Sequence, residues 1–144
     1  MRIETSTTIR APAERLVARY LDVAHWPQLF PATIRGTRLL RRDGNTLFVE
    51  VDHRAAGFVI NVIRQRSADT IELEEHKPRY DATFINRFQP TPAGTRYSVV
   101  ADIRLRLPYA LLAPFVKRYV RRSVRRYVLE PMRHAAERDS TGVA

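Results

Sequence analysis

The C-terminal third of the chain constrains its fold most, because it has the pattern of one long amphipathic helix. From Pro108 to about Arg138 the apolar residues recur with a helical period. One side of this helix carries Leu112, Phe115, Val116, Tyr119, Val120, Ser123, Val124 and Tyr127. Pro114 and Pro131 are expected to bend the helix. A single helix with so wide an apolar side must pack on another apolar surface, which predicts a sheet in the rest of the chain.

Seven segments before this helix alternate apolar and polar residues with the period of a β-strand. They are residues 2–10, 34–42, 47–53, 57–66, 71–75, 80–88 and 97–105. Short turns such as Asp43-Gly44-Asn45 join several of them, which favours an antiparallel sheet with one buried face. Two short helices are expected after the first strand, at residues 12–21 and 23–29. The predicted class is α+β, with a curved sheet of six to seven strands around the long C-terminal helix.

Composition excludes several classes of protein. The 144 residues are 44% hydrophobic, which predicts one domain over residues 1–139 and a flexible tail over residues 140–144. The absence of cysteine excludes disulfides, a catalytic thiol and thiolate metal sites. No two of the four histidines have the spacing of a metal-binding pair on a helix, so no metal site is expected. No cofactor is expected either. The polar N-terminus lacks the apolar centre of a signal peptide, which favours a cytoplasmic location.

The chain is strongly basic, with a formal net charge of +10, and only Lys77 and Lys117 of its 25 basic residues are lysine. Such a surface attracts acidic partners and anionic membranes through long-range electrostatics. The basic side of the long helix carries Lys117, Arg118, Arg121, Arg122 and Arg125. We interpret this side either as a solvated surface or as a weak contact, through Arg118, Arg121, Arg122 and Arg125, for an anionic membrane or RNA.

The residues after the first strand carry a family resemblance. Residues 11–31 read APAERLVARYLDVAHWPQLFP, with Ala11-Pro12 first, Asp22-Val23 before Trp26-Pro27, and Phe30-Pro31 last. This run resembles the START-like (SRPBCC) superfamily, especially its polyketide cyclase/dehydrase and coenzyme-Q-binding branches. The similarity extends over residues 2–137. It implies a helix-grip fold with a cavity for a hydrophobic ligand between the sheet and the last helix, and it implies no shared catalytic triad.

Strand parity and helix side then give candidate residues for that cavity. The expected ligand-binding residues are Trp26, Phe30, His53, Phe84, Asn86, Phe88, Tyr97, Phe115, Tyr119, Ser123 and Tyr127. The candidates for acid–base chemistry are His53, Glu75, Tyr80 and Tyr97. Arg38, Asn61 and Arg126 are candidate anchors for a polar group of the ligand. The inward face of strands 34–42 and 57–66 stays open, because both parities contain apolar residues.

Three functions are consistent with these residues. The first is binding or transport of a small hydrophobic ligand, such as a polyketide, a quinone or a lipid-like molecule. The second is a polyketide cyclase, aromatase or dehydratase. The third is an interaction protein that docks on RNA, a ribosome or a membrane through the arginine-rich helix side. The sequence does not require any two titratable residues to lie close together in space, as acid–base catalysis would need. This favours a binding protein over an enzyme. The protein is expected to be a monomer or a homodimer.

Overall fold

The computed structural model describes residues 1–141 as one antiparallel sheet with helices on its concave side. The strands are β1 (Arg2–Ile9), β2 (Ile34–Asp43), β3 (Thr46–His53), β4 (Gly57–Ser67), β5 (Thr70–His76), β6 (Tyr80–Thr91) and β7 (Gly94–Leu105). The α-helices are α1 (Ala13–Leu21), α2 (Trp26–Leu29), α3 (Ala113–Val124) and α4 (Glu130–Thr141). Short 3-10 turns lie at Val23–His25 and Tyr109–Leu112, and a π-helical turn lies at Arg125–Leu129. This architecture confirms the predicted α+β class and the helix-grip arrangement.

The sheet consists of consecutive hairpins, and the first strand of the chain, β1, forms one of its edges. Its strand order is β1-β7-β6-β5-β4-β3-β2, so every pair except β1–β7 is adjacent in the chain. Gly94 is needed at the turn between β6 and β7, where its φ is +138°. A Cβ at this position would lie 2.2 Å from the carbonyl oxygen of Ile9. Glycine therefore permits the close approach that aligns β7 with β1.

The structure resolves the parity of the two ambiguous strands. On β4, Val59, Asn61 and Ile63 are buried, whereas Phe58 and Ile60 are exposed. On β2, irregularities between Ile34 and Gly36 and between Leu39 and Arg41 interrupt the pairing with β3. Each irregularity shifts the alternation of side chains, which explains why the sequence pattern favoured neither face.

The helices contribute unequally to the core. Leu16, Val17 and Tyr20 of α1 are buried on the concave face of the sheet, and the Trp26 indole Nε1 donates a 2.7 Å hydrogen bond to the Tyr20 carbonyl oxygen. In α4, Met132, Ala135 and Ala136 are buried. In α3, only Val124 is buried, while Val116 and Val120 are half-buried. The core is therefore well covered by α1 and α4 and poorly covered by α3.

The predicted single C-terminal helix is divided by a π-helical turn before Pro131. Proline lacks an amide hydrogen and its ring crowds the carbonyl four residues earlier, so the preceding turn widens. Pro114 lies in the first turn of α3, where it needs no bend. The last helix continues to Thr141, so the predicted domain boundary after residue 139 lies inside it. Residues 142–144 of the predicted tail lie outside the described residues.

Candidate functional site

Five polar residues converge on the concave face near one end of the sheet. His53 ends β3, Asn61 lies on β4, Glu75 lies near the end of β5, Lys77 follows β5, and Tyr80 begins β6. The antiparallel register places Asn61 directly opposite Glu75, and both side chains point inward because each continues an apolar row. We call these five residues the polar cluster.

Glu75 is the centre of the polar cluster and is only 5% exposed. Its Oε1 lies 3.4 Å from the Lys77 ammonium nitrogen and accepts a 3.3 Å hydrogen bond from the Tyr80 hydroxyl. Its other oxygen, Oε2, lies 4.0 Å from His53 Nε2. The carboxylate is therefore balanced on one side by a cation and a hydroxyl, and on the other side it faces an imidazole.

Two buried atoms of the polar cluster have no hydrogen-bond partner within the described part of the chain. They are His53 Nε2 and Asn61 Oδ1, and Asn61 is 2% exposed. Buried polar atoms in proteins are nearly always hydrogen-bonded, and an unpaired one costs about 1–3 kcal/mol. A ligand that supplied a hydroxyl or carbonyl group at this point would recover part of that cost.

Burial and neighbouring charges shift the pKa values within the polar cluster. Burial lowers the pKa of His53, the nearby Lys77 lowers it further, and Glu75 and Asp52 only partly oppose this. Burial also disfavours the charged form of Lys77, but the attraction and hydrogen bonding of Glu75 and Tyr80 together outweigh it and raise the Lys77 pKa. Burial and Glu75 both raise the pKa of Tyr80. The cluster thus combines a neutral imidazole, a protonated lysine and a protonated phenol at neutral pH.

We expect the His53→Gln variant to lose less stability than the wild type as the pH falls below His53's ordinary pKa of 6.5. The folded state takes up this proton later than the unfolded state, so His53 stabilises the fold above that pKa and this contribution is lost in acid. Urea unfolding at about pH 7.5 and about pH 5 measures the effect. His76→Gln is the matched control with the opposite sign, because Asp81 and Glu74 raise the His76 pKa. An identical pH dependence in His53→Gln and the wild type would contradict this assignment.

A second polar group lies deeper on the same face. Tyr97 donates a 2.5 Å hydrogen bond to Asn86 Oδ1, and Asn86 Nδ2 donates to the Tyr20 hydroxyl at 3.2 Å. Burial raises the pKa of Tyr20 and of Tyr97, and the charge of Glu75 raises that of Tyr20 further. We call Tyr20, Asn86 and Tyr97 the buried triad. Its hydrogen bonds satisfy the Asn86 amide within the protein, so these residues stabilise the core rather than offer open binding groups.

The aromatic candidates divide into core and exposed residues. Trp26, Phe30 and Phe88 are buried, and Phe88 stacks on Tyr97 with ring centroids 4.6 Å apart. Phe84, Ser123 and Tyr127 are half-buried. Phe115 and Tyr119 are exposed, so the expectation that they line a cavity under the helix is wrong. The amphipathic pattern correctly predicted which side of α3 is apolar, but it did not predict how much of that side is buried. The helix packs against β1 rather than over the middle of the sheet.

Two of the three predicted anchors are also wrong. The Arg38 side chain is 70% exposed and lies 3.3 Å from Glu50, away from the concave face. Arg126 is exposed and stacks on the ring of the neighbouring Tyr127. Asn61, the third anchor, does point inward.

Sequence reasoning missed two residues of these groups, Lys77 and Tyr20. Lys77 follows the end of a strand, where parity no longer predicts direction. Its one signal was its residue type, since almost every other basic residue in the chain is arginine. Tyr20 lies four residues after Leu16 on the apolar side of α1, so helical spacing predicts its burial but not its hydrogen bond.

Two clefts lie on the helical side of the molecule. The larger, of about 480 Å³, lies between α1, α2 and α4 and is lined by Arg15, Ala18, Arg19, Asp22, His25, Gln28, Leu29, Ala135 and Arg138. The smaller, of about 240 Å³, lies between α1 and β2. Neither is lined by the polar cluster, so neither corresponds to the predicted cavity between the sheet and the last helix. That cavity stays a prediction.

Comparison with known proteins agrees with this geometry. Residues 1–137 match the Polyketide_cyc2 family, described as polyketide cyclase / dehydrase and lipid transport. The chain belongs to this family. No functionally curated protein matches the chain significantly. This family is the polyketide cyclase/dehydrase branch that the sequence resembled.

Solved structures similar to this member of the Polyketide_cyc2 family share its fold. The Zhui aromatase/cyclase from Streptomyces sp. R1128 is 17% identical with a TM-score of 0.77, and the match covers 96% of this chain and 94% of that one. A START superfamily protein from Mycobacterium smegmatis is 16% identical with a TM-score of 0.77, covering 95% and 97%. The di-domain aromatase/cyclase StfQ of the steffimycin biosynthetic pathway is 18% identical with a TM-score of 0.79. That match covers 99% of this chain but only 52% of StfQ, so this chain spans about half of the di-domain protein.

Proposed function

We propose that the concave face binds a small hydrophobic molecule that carries a hydroxyl or carbonyl group. The observation that carries this proposal is the pair of buried, unpaired atoms in the polar cluster, His53 Nε2 and Asn61 Oδ1. These two atoms fit a hydroxyl group, because the Asn61 amide oxygen can accept a hydrogen bond from it and the His53 imidazole, in its Nε2–H tautomer, can donate one to it. The family description, which includes both polyketide cyclases and lipid transport, supports a ligand of this class.

The apolar part of the proposed site lies beside the polar cluster. Leu73 and Phe84 are cross-strand partners on the concave face, and Tyr80 and Leu105 are partners nearer the end of the sheet. All four are only partly buried, although they point inward. Ligand sites in proteins combine a mostly apolar lining with a few polar groups that fix orientation. These four side chains supply the apolar lining, and His53 and Asn61 supply the orientation.

We expect 2-naphthol to bind more tightly than naphthalene, because only the phenol reaches the unpaired atoms. One hydrogen bond to such atoms favours the phenol by roughly tenfold, or ~1.4 kcal/mol. Fluorescence titration of the two probes measures the ratio. In His53→Phe and in Asn61→Leu the ratio of the two affinities should fall toward the value expected from the different hydrophobicity of the two probes alone.

The matched control for this titration is His76→Phe, which changes a histidine at the same end of the sheet but on the opposite face. It should leave the preference for 2-naphthol unchanged. Equal binding of the two probes by the wild type would contradict the proposed site. A preference that survives both His53→Phe and Asn61→Leu would place the phenol elsewhere.

A second candidate function, cyclisation of a poly-β-carbonyl chain, is favoured by the geometry of His53 and Glu75. An imidazole with a lowered pKa is a base at neutral pH, and a carboxylate 4.0 Å away stabilises its protonated form. His53 would take a proton from the carbon between two carbonyls, that carbon would attack a further carbonyl carbon, and the resulting alkoxide would take the proton back. Incubation with a short poly-β-ketone thioester separates the two functions, since a binding protein returns it unchanged at the spontaneous rate.

A further inference from the structure

The segment between β7 and the middle of α3 exposes large apolar side chains that the fold does not cover. Leu107 is 79% exposed, Leu111 is 77% exposed and Phe115 is 80% exposed, and Leu112 and Tyr119 are also exposed. We call these five residues the apolar ridge. Scattered apolar residues on a surface are ordinary, but five within thirteen positions form a continuous feature, and such features mark interaction sites.

The apolar ridge is not the side of α3 that holds the helix to the protein. The helix packs through Val116, Val120 and Val124, which are half-buried or buried. Phe115 and Tyr119 each directly precede one of these valines in the sequence, so their side chains point to one side of the valine row. Removing the ridge side chains would therefore leave the packing of α3 intact.

Every charged residue in the chain segment that carries the apolar ridge is basic. From Ile103 to Leu129 the chain contains eight basic residues and no acidic residue. The basic residues are Arg104, Arg106, Lys117, Arg118, Arg121, Arg122, Arg125 and Arg126. Arg122 follows Phe115 and Tyr119 at spacings of seven and three residues, which places it on the same side of the helix. Exposed apolar side chains bordered by arginine are the pattern of a segment that lies in a membrane interface.

We propose that residues 107–126 dock on the surface of an anionic phospholipid bilayer. In this arrangement Leu107, Leu111 and Phe115 enter the boundary between headgroups and acyl chains, and the arginines contact lipid phosphates. Charge complementarity selects anionic lipid, and the protruding aliphatic side chains select a bilayer over an acidic protein, whose binding would rest on the arginines alone. No helix within residues 1–141 is long and apolar enough to span a bilayer, so the contact is peripheral. This proposal does not depend on a ligand at the polar cluster.

The first test is sedimentation of the protein with vesicles of phosphatidylcholine and phosphatidylglycerol at 7:3, and with vesicles of phosphatidylcholine alone. The wild type should partition onto the anionic vesicles and much less onto the neutral ones. The double variant Leu111→Ser/Phe115→Ser should lose at least about tenfold in partition coefficient, because two largely exposed apolar side chains no longer leave water on docking. Phe58→Ser is the matched control, since Phe58 is 72% exposed but lies on the convex face of β4.

The second test distinguishes insertion from adsorption by charge. In Phe115→Trp, the new indole should be quenched by brominated phosphatidylcholine in the anionic vesicles, whereas in Phe58→Trp it should not. The native Trp26 is buried and contributes the same background to both variants. Arg118→Glu/Arg122→Glu should abolish the preference for phosphatidylglycerol.

Several outcomes would overturn the proposal. One is full retention of vesicle binding by Leu111→Ser/Phe115→Ser, which would show adsorption through charge alone. Others are equal quenching of the new indole in Phe115→Trp and in Phe58→Trp, or no sedimentation of the wild type with either vesicle. Loss of 2-naphthol binding has no bearing on these results, so the two proposals can fail separately.

Discussion

Replacing Asn86 with leucine is expected to lower the free energy of unfolding by about 3 kcal/mol, because the buried triad loses its central member. Asn86 accepts a 2.5 Å hydrogen bond from Tyr97 and donates one of 3.2 Å to Tyr20. Leucine has a similar volume but neither donates nor accepts, so the Tyr97 hydroxyl loses its acceptor and the Tyr20 hydroxyl loses a donor, both in the core. Urea unfolding of the variant and the wild type measures the difference.

The controls for Asn86 separate the hydrogen bonds from the substitution itself. Gln89→Leu changes an exposed amide on the same strand and should alter stability by no more than about 0.5 kcal/mol. Tyr97→Phe should cost about 1–2 kcal/mol, because it leaves Asn86 Oδ1 unpaired. The double variant Asn86→Leu/Tyr97→Phe should cost less than the sum of the two single changes, since both partners of one bond are removed together. Additive losses would show that the Tyr97–Asn86 bond contributes nothing.

The sheet was predictable from the sequence because alternation is a local property of each strand. The same parity argument placed His53, Glu75 and Tyr80 on one face, and their register then brings them together. Lys77 escaped this argument, because it lies beyond the last residue of β5 and its direction depends on the turn to Tyr80. The sequence thus predicted that the strand residues of the polar cluster point inward, but it did not predict the ion pair between Glu75 and Lys77.

The coverage of the long helix was not predictable by the same means. The sequence pattern separates an apolar side of α3 from a basic side, and it predicted Phe115 and Tyr119 against the sheet. How much of that side is covered depends on where the helix crosses the sheet, and this follows from the turn after β7 and the π-helical turn before Pro131. Both are tertiary features, and they leave Val116 and Val120 facing the protein while Phe115 faces solvent.

Replacing Glu75 with leucine should lower the free energy of unfolding by about 3 kcal/mol, because it leaves the Lys77 ammonium without its counter-charge in a mostly buried site. The side chains of Glu75 and Lys77 are 6% and 15% exposed, so water screens this pair only weakly. The Tyr80 hydroxyl also loses its acceptor. Urea unfolding near neutral pH measures the loss, and Glu75→Gln, which keeps an oxygen for Tyr80, should lose less.

The double variant Glu75→Leu/Lys77→Met is the decisive comparison for the pair. Removing both charges restores an apolar environment, so the double variant should recover most of the stability that Glu75→Leu loses. The same variant also affects the pKa of His53. It removes Lys77, which lowers that pKa, and Glu75, which raises it. Burial then remains as the main cause of the lowered pKa, and the 2-naphthol preference should survive wherever His53 Nε2 and Asn61 Oδ1 keep their positions. If the stability loss of the double variant equalled the sum of the losses of the two single variants, Glu75 and Lys77 would act independently. The polar cluster would then be a set of neighbours without electrostatic coupling.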